Sequence, residues 1–224
     1  HLVNPLFVAA CLKHYLGYSQ TLSGKDRSPA WIPENKLREY HVPSFKAGIE
    51  AGAMTVMVNS GEINGLPVHA NAKILTELLK KELGFTGFAI TDWSDIEYLH
   101  TRHKIAATQK EAVKLAINAG IDMAMVPYNF NFTENLIQLV NENEVPMSRI
   151  DDAVTRILRV KFRMGLFDRP TTQREDYPLF GSAEFADASR KTAEESITLL
   201  KNDQQILPLS KGVKILVDFL MKKI

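Results

Sequence analysis

Residues 74–92, ILTELLKKELGFTGFAITD, hold the pattern that decides the fold of this chain. The apolar residues of its first part recur at the spacing of one helix face, and Gly84 follows where such a helix would end. The next apolar run, Phe88–Thr91, is short and rich in strand-forming residues. A helix closed by glycine and followed by a short apolar strand is the unit of an α/β fold.

The same unit occurs on both sides of this stretch. Upstream, a predicted helix Pro43–Ala51 precedes a strand Met54–Val58; downstream, a helix ending before Gly120 precedes a strand Ile121–Val126. Strands that are apolar on both faces and alternate with helices indicate a parallel sheet buried on both sides. With Val8–Lys13 as an earlier strand, the sequence predicts four parallel strands.

The spacing of these strands favours a barrel. The last three begin about 34 residues apart, close to the roughly 31 residues per unit of a (β/α)8 barrel of ~250 residues. We therefore predict half of a TIM-like (β/α)8 barrel over residues 1–168. The alternative is an open doubly wound sheet, but the sequence has neither a Gly-x-Gly-x-x-Gly motif nor a phosphate-binding Gly-Lys-Ser/Thr loop to support it.

The chain after the fourth strand is predicted to be mostly helical. Ser148 with Asp151 three residues later forms a capping-box pattern at the start of a long helix. Residues 169–224 are predicted to be a linker helix and the start of a truncated second α/β domain. The remaining predicted elements are a helix Asn135–Asn141, a linker Arg169–Phe180, a helix Ala183–Leu200 and an apolar run Val213–Val217.

Composition limits the classes of partner. The chain has 224 residues with 27 Lys+Arg and 26 Asp+Glu, a formal net charge of +1, so no net field attracts nucleic acid or an anionic membrane surface. No apolar stretch reaches the roughly 20 residues that cross a bilayer. We predict a neutral small-molecule partner, with no nucleic acid and no membrane.

Metal, cofactor and thiol chemistry are not indicated. The six histidines are scattered, and His100–His103 lacks the companion ligands of a zinc motif. The single cysteine, Cys11, lies in an apolar run and is predicted to be a core residue rather than a nucleophile. We predict no metal, no cofactor and no intrachain disulfide.

Two predicted strands end in polar residues, at the sheet edge where parallel α/β folds place their catalytic groups. One strand ends in Lys13-His14 and another in Asp92-Trp93. The acidic residues after Trp93 have structural explanations, since Ser94 and Glu97 form a capping-box pattern and Asp95 complements the helix dipole. No capping role is predicted for Asp92, so two interpretations stay open: it is a functional carboxylate, or it accepts a hydrogen bond from a backbone amide in the turn.

The chain resembles glycoside hydrolase family 3, in its β-glucosidase/β-xylosidase-like branch, over nearly its whole length. The motifs that carry the resemblance are Val8–Tyr18 with its lysine-histidine pair, the loop Asn64–Val68, the strand Gly84–Trp93, Ala119–Met123 and Ser196–Asn202. The resemblance implies that this chain is the carboxyl-terminal half of the family's catalytic barrel. Members of the N-acetylglucosaminidase branch have a catalytic Asp-His pair in the loop after the lysine-histidine motif. No Asp-x-His pair follows Lys13-His14 here, which favours the β-glucosidase-like branch.

The resemblance implies retaining hydrolysis of β-linked glucosides or related β-glycosides. Asp92 would be the nucleophile that forms a covalent glycosyl-enzyme. Lys13, His14, Trp93 and Met57 would bind the substrate, a β-glycoside or oligosaccharide. Near the nucleophile many relatives have tyrosine where this chain has Ser60.

The resemblance also implies that other parts of the parent protein complete the enzyme. The acid/base glutamate would lie in the second domain, so it is not in this chain, and the missing barrel half and second domain are its expected partners. The fragment alone is therefore predicted to be inactive. A periplasmic or secreted location is the expectation from the family.

Two other functions fit the same residues. A non-catalytic carbohydrate-binding barrel would keep Lys13, His14 and Trp93 without needing Asp92. An unrelated barrel lyase or aldolase would use Lys13 to form a Schiff base.

Overall fold

A computed structural model describes residues 8–169, 171 and 173–214. The chain divides into two compact units, residues 1–171 and residues 172–224. The predicted apolar run Val213–Val217 lies mostly outside the described residues. Within the described part, no helix is long and apolar enough to cross a bilayer.

The first unit is built on a three-stranded parallel sheet of order β1-β2-β5, and a short antiparallel hairpin lies beside it. The strands are β1 (Cys11–Tyr15), β2 (Thr55–Val58), β3 (Glu62–Ile63), β4 (Leu66–Pro67) and β5 (Phe88–Ile90). The prediction of a parallel α/β fold is confirmed. The first strand begins three residues later than predicted, at Cys11, and ends at Tyr15.

The predicted fourth strand is not a regular strand. Met123 forms an isolated parallel bridge with Ile90, and its amide donates to the Ala89 carbonyl over 3.1 Å. Beyond this bridge the Met125 amide donates to the Thr91 side chain, over 2.8 Å, instead of to a strand carbonyl. The segment therefore runs beside β5 as predicted, but side-chain bonding interrupts the ladder.

Helices cover one face of the sheet. Val56 and Ala89 pair in register and are fully buried beneath them. Met57 and Ile90, the next pair, point to the opposite face and are half-buried. Three strands do not close a barrel, so within the described residues this second face is only partly covered, and burial on both sides is not observed.

The exposure of Cys11 follows from the same geometry. It is the first residue of β1, which is an edge strand, and its side chain is exposed. The expectation that Cys11 is a core residue was wrong, because the apolar run around it lies on the uncovered part of the edge strand.

The first unit's described residues contain six α-helices, two π-helical segments and a 3₁₀ turn, Val68–Ala70. The α-helices are α1 (Glu34–Lys36), α2 (Val42–Glu50), α3 (Asp95–Thr101), α4 (Gln109–Ala119), α5 (Asn131–Asn141) and α6 (Met147–Arg163). A π-helical turn, Leu37–His41, joins α1 to α2, and the predicted helix before Gly84 is the π-helix Lys73–Glu82. Gly84 and Gly120 both have positive φ, as the predicted helix ends require.

Two predicted capping boxes are not formed. Helix α6 begins at Met147 with Pro146 at its N-cap, so Ser148 already lies inside the helix. Ser94 does stand at the N-cap of α3, but its backbone is left-handed with φ of 59°, and its buried hydroxyl has no partner among the described residues. A capping hydroxyl needs an extended backbone to reach the N3 amide, and Ser94 does not have one.

The second unit contains a 3₁₀ turn, Arg174–Asp176, and the helix α7 (Ala183–Ser196). Ser182 caps α7 by accepting the Phe185 amide over 3.2 Å. The helix ends four residues before the predicted Leu200, because Ile197 adopts an extended backbone with ψ of 118°. β-branched residues such as Ile197 and Thr198 favour that conformation.

A buried ionic network holds α6 against the sheet. The Asp122 side chain is fully buried and accepts hydrogen bonds from the Lys80 ammonium at 2.6 Å, from the Ala89 amide at 2.8 Å and from Arg149. Arg149 also donates to the Ile121 carbonyl. The Ala119–Met123 motif thus has a structural function at Asp122, which ties β5, the π-helix and α6 together.

Candidate active site

The parallel strands bring three side chains to one edge of the sheet. His14 lies within β1, Ser60 follows β2 by two residues, and Asp92 follows β5 by two residues. Because the carboxyl ends of neighbouring parallel strands meet, residues distant in sequence become neighbours there. The structure thus brings Asp92 and His14 together, as the strand-end pattern predicts.

Asp92 is surrounded by hydrogen-bond donors. Its Oδ1 accepts the Trp93 amide at 2.7 Å, and its Oδ2 accepts the Ser60 hydroxyl at 3.1 Å and the Arg27 guanidinium at 3.3 Å. The His14 Nε2 lies 3.5 Å from the same Oδ2. Burial by itself would raise the pKa of Asp92, but these hydrogen bonds and charges outweigh it and lower the pKa. Asp92 is therefore an ionised carboxylate, and 18% of its side chain is exposed to solvent.

The cation beside Asp92 is Arg27. Lys13, which lies at the same edge of the sheet, forms no ion pair with Asp92 among the described residues. Arg27 lies in the loop after β1 with φ of 56°, and Arg102 donates to its carbonyl over 2.8 Å. Nothing in the pattern around Lys25–Ser28 distinguishes this arginine from an exposed loop residue, so only the folded loop reveals it.

Asp95 is a second carboxyl group in the cluster. The Ser60 hydroxyl lies 2.6 Å from its Oδ2, and Arg27 donates to its Oδ1 over 3.2 Å. The side chain is only 2% exposed, and burial raises the pKa of Asp95 to about 6. From the sequence, Asp95 was predicted only to complement the helix dipole. Its proximity to Asp92 could have been predicted from its position three residues after Asp92, at the start of a helix.

Lys13 and His14 line an open cleft beside this cluster, together with Tyr18, Tyr40 and His41. The rings of His14 and Tyr18 lie 4.6 Å apart. Burial is the largest influence on His14 and lowers its pKa, so the imidazole is neutral at pH 7. Lys13 is exposed. The cleft therefore offers a neutral ring close to Asp92, and a solvated ammonium from the neighbouring residue in β1.

Trp93 and Tyr128 form an aromatic pair next to Asp92. The indole Nε1 donates to the Tyr128 hydroxyl over 3.1 Å, and the two rings meet edge to face with centroids 5.9 Å apart. Both rings are exposed. Met57 lies one strand away, on the half-buried face of the sheet, opposite Ile90.

The described residues include no group of three or more His, Cys, Asp or Glu side chains placed to hold a metal ion.

A parallel α/β sheet with polar side chains gathered at the carboxyl ends of its strands is typical of parallel α/β enzymes, both barrels and open sheets. The model of the glycosyl hydrolase family 3 N terminal domain matches residues 5–160. The chain belongs to glycosyl hydrolase family 3.

Relatives and solved structures agree with this assignment. The lysosomal beta glucosidase of Dictyostelium discoideum is 47% identical over 93% of this chain and 26% of its own length. The periplasmic beta-glucosidase of Salmonella typhimurium is 33% identical over 94% of this chain and 28% of its own. A mutant beta-glucosidase from Listeria innocua in complex with laminaribiose superimposes with a TM-score of 0.76 and 27% identity, over 93% of this chain and 29% of that one. The chain thus spans between a quarter and a third of the length of each of these proteins.

Proposed function

We propose that this protein hydrolyses β-linked glucosides or related β-glycosides with retention of configuration, through a covalent glycosyl-enzyme on Asp92. One observation carries the proposal: Asp92 is an accessible strand-end carboxylate whose hydrogen bonds and neighbouring charges keep it ionised. A retaining glycosidase needs such a carboxylate as its nucleophile. The names of the relatives, two β-glucosidases among them, supply the substrate class.

The surroundings of Asp92 fit an uncharged sugar. The neutral His14 ring and the Lys13 ammonium offer hydrogen bonds to hydroxyl groups, and the exposed Trp93 ring offers an apolar face for a pyranose. Met57 would add apolar contact from the half-buried face of the sheet. These roles are part of the proposal.

The general acid is proposed to lie outside the described residues. Asp95 contacts the surroundings of Asp92 through Ser60 and Arg27, but it is 2% exposed and lies behind them. A general acid must reach the glycosidic oxygen. We therefore assign it, as the family resemblance implies, to the second domain, for which residues 169–224 would form the linker and beginning.

The test of the proposal is the stereochemistry of hydrolysis. The assay uses a polypeptide that includes the residues flanking these 224, an aryl β-glucoside as substrate, and proton NMR of the first sugar released. Release of the β-anomer supports retention through a glycosyl-enzyme. Release of the α-anomer, or no hydrolysis of any aryl β-glycoside, would reject the proposal.

Location follows from the same relatives. Their names place one in the lysosome and one in the periplasm. We propose that this protein likewise acts outside the cytoplasm, in the periplasm or after secretion.

The first mutational prediction concerns the two cleft residues of β1. Lys13→Ala and His14→Ala should each lower kcat and kcat/KM together, since hydrogen bonds to sugar hydroxyls strengthen as the transition state forms. The expected loss of transition-state stabilisation is on the order of 1.5–3 kcal/mol for the charged Lys13 and about 0.5–1.5 kcal/mol for the neutral His14. Steady-state kinetics on an aryl β-glucoside measure it.

The matched control is Lys46→Ala, which removes an exposed lysine on α2. It should leave both constants unchanged. If Lys13→Ala also leaves them unchanged, Lys13 is only a solvated lysine at a strand end. A Schiff-base role for Lys13 is tested separately by borohydride reduction with a carbonyl substrate, which should give no adduct.

A further inference from the structure

Two carboxyl groups share one hydroxyl at the site. The Ser60 Oγ lies 3.1 Å from Oδ2 of Asp92 and 2.6 Å from Oδ2 of Asp95. A serine hydroxyl has one hydrogen to donate. If both carboxyl groups were ionised, one of these two contacts would bring two oxygen atoms together with no hydrogen between them.

The two carboxyl groups also share one guanidinium. Arg27 donates through Nη2 to Asp92 and through Nη1 to Asp95, and its Nε lies 3.7 Å from Asp26, so this single charge faces three carboxyl groups. The neighbouring His69 does not supply a second charge, because burial lowers its pKa to about 3 and leaves the ring neutral. Its Nε2 lies 3.5 Å from Oδ2 of Asp95 and has no hydrogen-bond partner among the described residues.

One added proton on Asp95 supplies the hydrogen that the Ser60 contacts lack, and it removes one of the negative charges beside Arg27. We propose that Asp95 works as a neutral carboxylic acid whose Oδ2–H donates to Ser60, so that Ser60 donates its single hydrogen to Oδ2 of Asp92. The distance of 2.6 Å between Asp95 and Ser60 is normal for such an O–H···O bond. Asp95 is then a positioning residue: it does not touch the sugar, but it fixes the donor that holds the nucleophile. This inference rests on the proposed function of Asp92.

The proton belongs on Asp95 rather than on Asp92. Asp92 receives a backbone amide and lies nearer to solvent, whereas the Asp95 side chain is 2% exposed. The charged groups that face Asp95 are Arg27 from the loop after β1, Arg102 at the end of α3 and Asp92 itself. Burial outweighs the two arginines and raises the pKa of Asp95 to about 6. The neutral form therefore prevails below about pH 6.

The discriminating variant is Asp95→Asn. An asparagine amide has the hydrogen-bonding pattern of the protonated acid, since its nitrogen can donate to Ser60 while its oxygen accepts from Arg27. Asp95→Ala removes both bonds. In the enzyme with its flanking residues we expect Asp95→Asn to stay within about threefold of the wild-type kcat/KM at pH 5. Asp95→Ala should fall by roughly 10- to 100-fold, the loss that accompanies unpaired buried groups.

The pH profile separates positioning from mere packing. The substrate is 2,4-dinitrophenyl β-glucoside, whose leaving group departs without protonation, so the general acid does not shape the profile. Wild-type kcat/KM should fall roughly 2- to 10-fold as the pH rises through about 6, because the hydrogen bond to Asp92 weakens when Asp95 loses its proton. Asp95→Asn should remove this fall, and Asp151→Asn, an exposed aspartate on α6, should keep it.

A second readout does not need activity. The pKa of Asp95 is raised in the folded state, so folding keeps a proton that the unfolded chain releases above about pH 4. Stability is therefore lost as the pH rises from about 4 to about 6, and the loss is complete above that window. Asp95→Asn should raise Tm most at pH 8, raise it by about half as much at pH 5, and leave it nearly unchanged at about pH 4 and below.

The outcomes distinguish the two proposals. If the wild type hydrolyses no β-glycoside, the proposed function fails, and the Tm comparison still decides whether Asp95 is neutral. If the wild type is active but Asp95→Asn is as impaired as Asp95→Ala, or shares the wild-type pH profile, Asp95 is not the proposed donor. An equal change of Tm at pH 5 and pH 8 would overturn the assignment as well.

Discussion

Replacing Asp92 with asparagine is expected to lower kcat/KM on aryl β-glucosides by at least roughly 10⁴-fold, a loss typical of removing a catalytic nucleophile. The amide keeps the shape of the side chain but cannot attack the anomeric carbon. The fold should persist, because the Trp93 amide can still donate to the side-chain oxygen. Steady-state kinetics measure the loss, and circular dichroism checks the fold.

Covalent labelling identifies the nucleophile directly. A mechanism-based fluoro-sugar should label Asp92, and peptide mapping should find no label on Asp95 or Glu97, the other acidic residues of the same segment. Near-wild-type turnover by Asp92→Asn would refute the assignment. A label on Asp95 would also refute it, because the buried carboxyl group would then be the nucleophile.

The second large effect is expected on stability and comes from Asp122. Asp122→Asn leaves Lys80 and Arg149 partly buried with only part of their compensating charge. Breaking a buried ion pair by removing one partner costs about 3–5 kcal/mol. Burial already lowers the pKa of Lys80, which shows how unfavourable its ammonium is in this environment without Asp122. Urea unfolding of the protein with its flanking residues measures the difference in the free energy of unfolding.

Asp152→Asn is the matched control. Asp152 pairs with Arg149 at 2.7 Å and with Arg156 at 2.9 Å, but 44% of its side chain is exposed. Exposed pairs contribute at most about 1 kcal/mol, so this variant should be only slightly destabilised. Equal costs for the two variants would contradict the claim that burial makes Asp122 the anchor. Neither variant should change the pH profile of any activity that remains.

The fold was largely predictable because its signals are local. Periodic apolar residues before Gly84, then the run Phe88–Thr91, define a helix and a strand within one short segment. The predicted fourth strand does run beside β5, but it does not form a regular ladder of hydrogen bonds with it. One of its amides donates to the Thr91 side chain instead of to a strand carbonyl. That bond joins residues 34 apart in the sequence, which no local pattern records.

The sequence by itself determined the parallel α/β architecture, the family, and Asp92 as a strand-end carboxylate to which no helix-capping role is assigned. Strand ends and helix ends follow from the order of residues along the chain. Only the tertiary structure decided which groups surround Asp92. Arg27, Ser60 and Asp95 come from three separate segments of the chain, and their contacts depend on how the strands align. Only burial in the folded chain distinguishes Asp95 from an ordinary acidic residue at the start of a helix, because desolvation acts on a carboxyl group once neighbours from distant segments have excluded water.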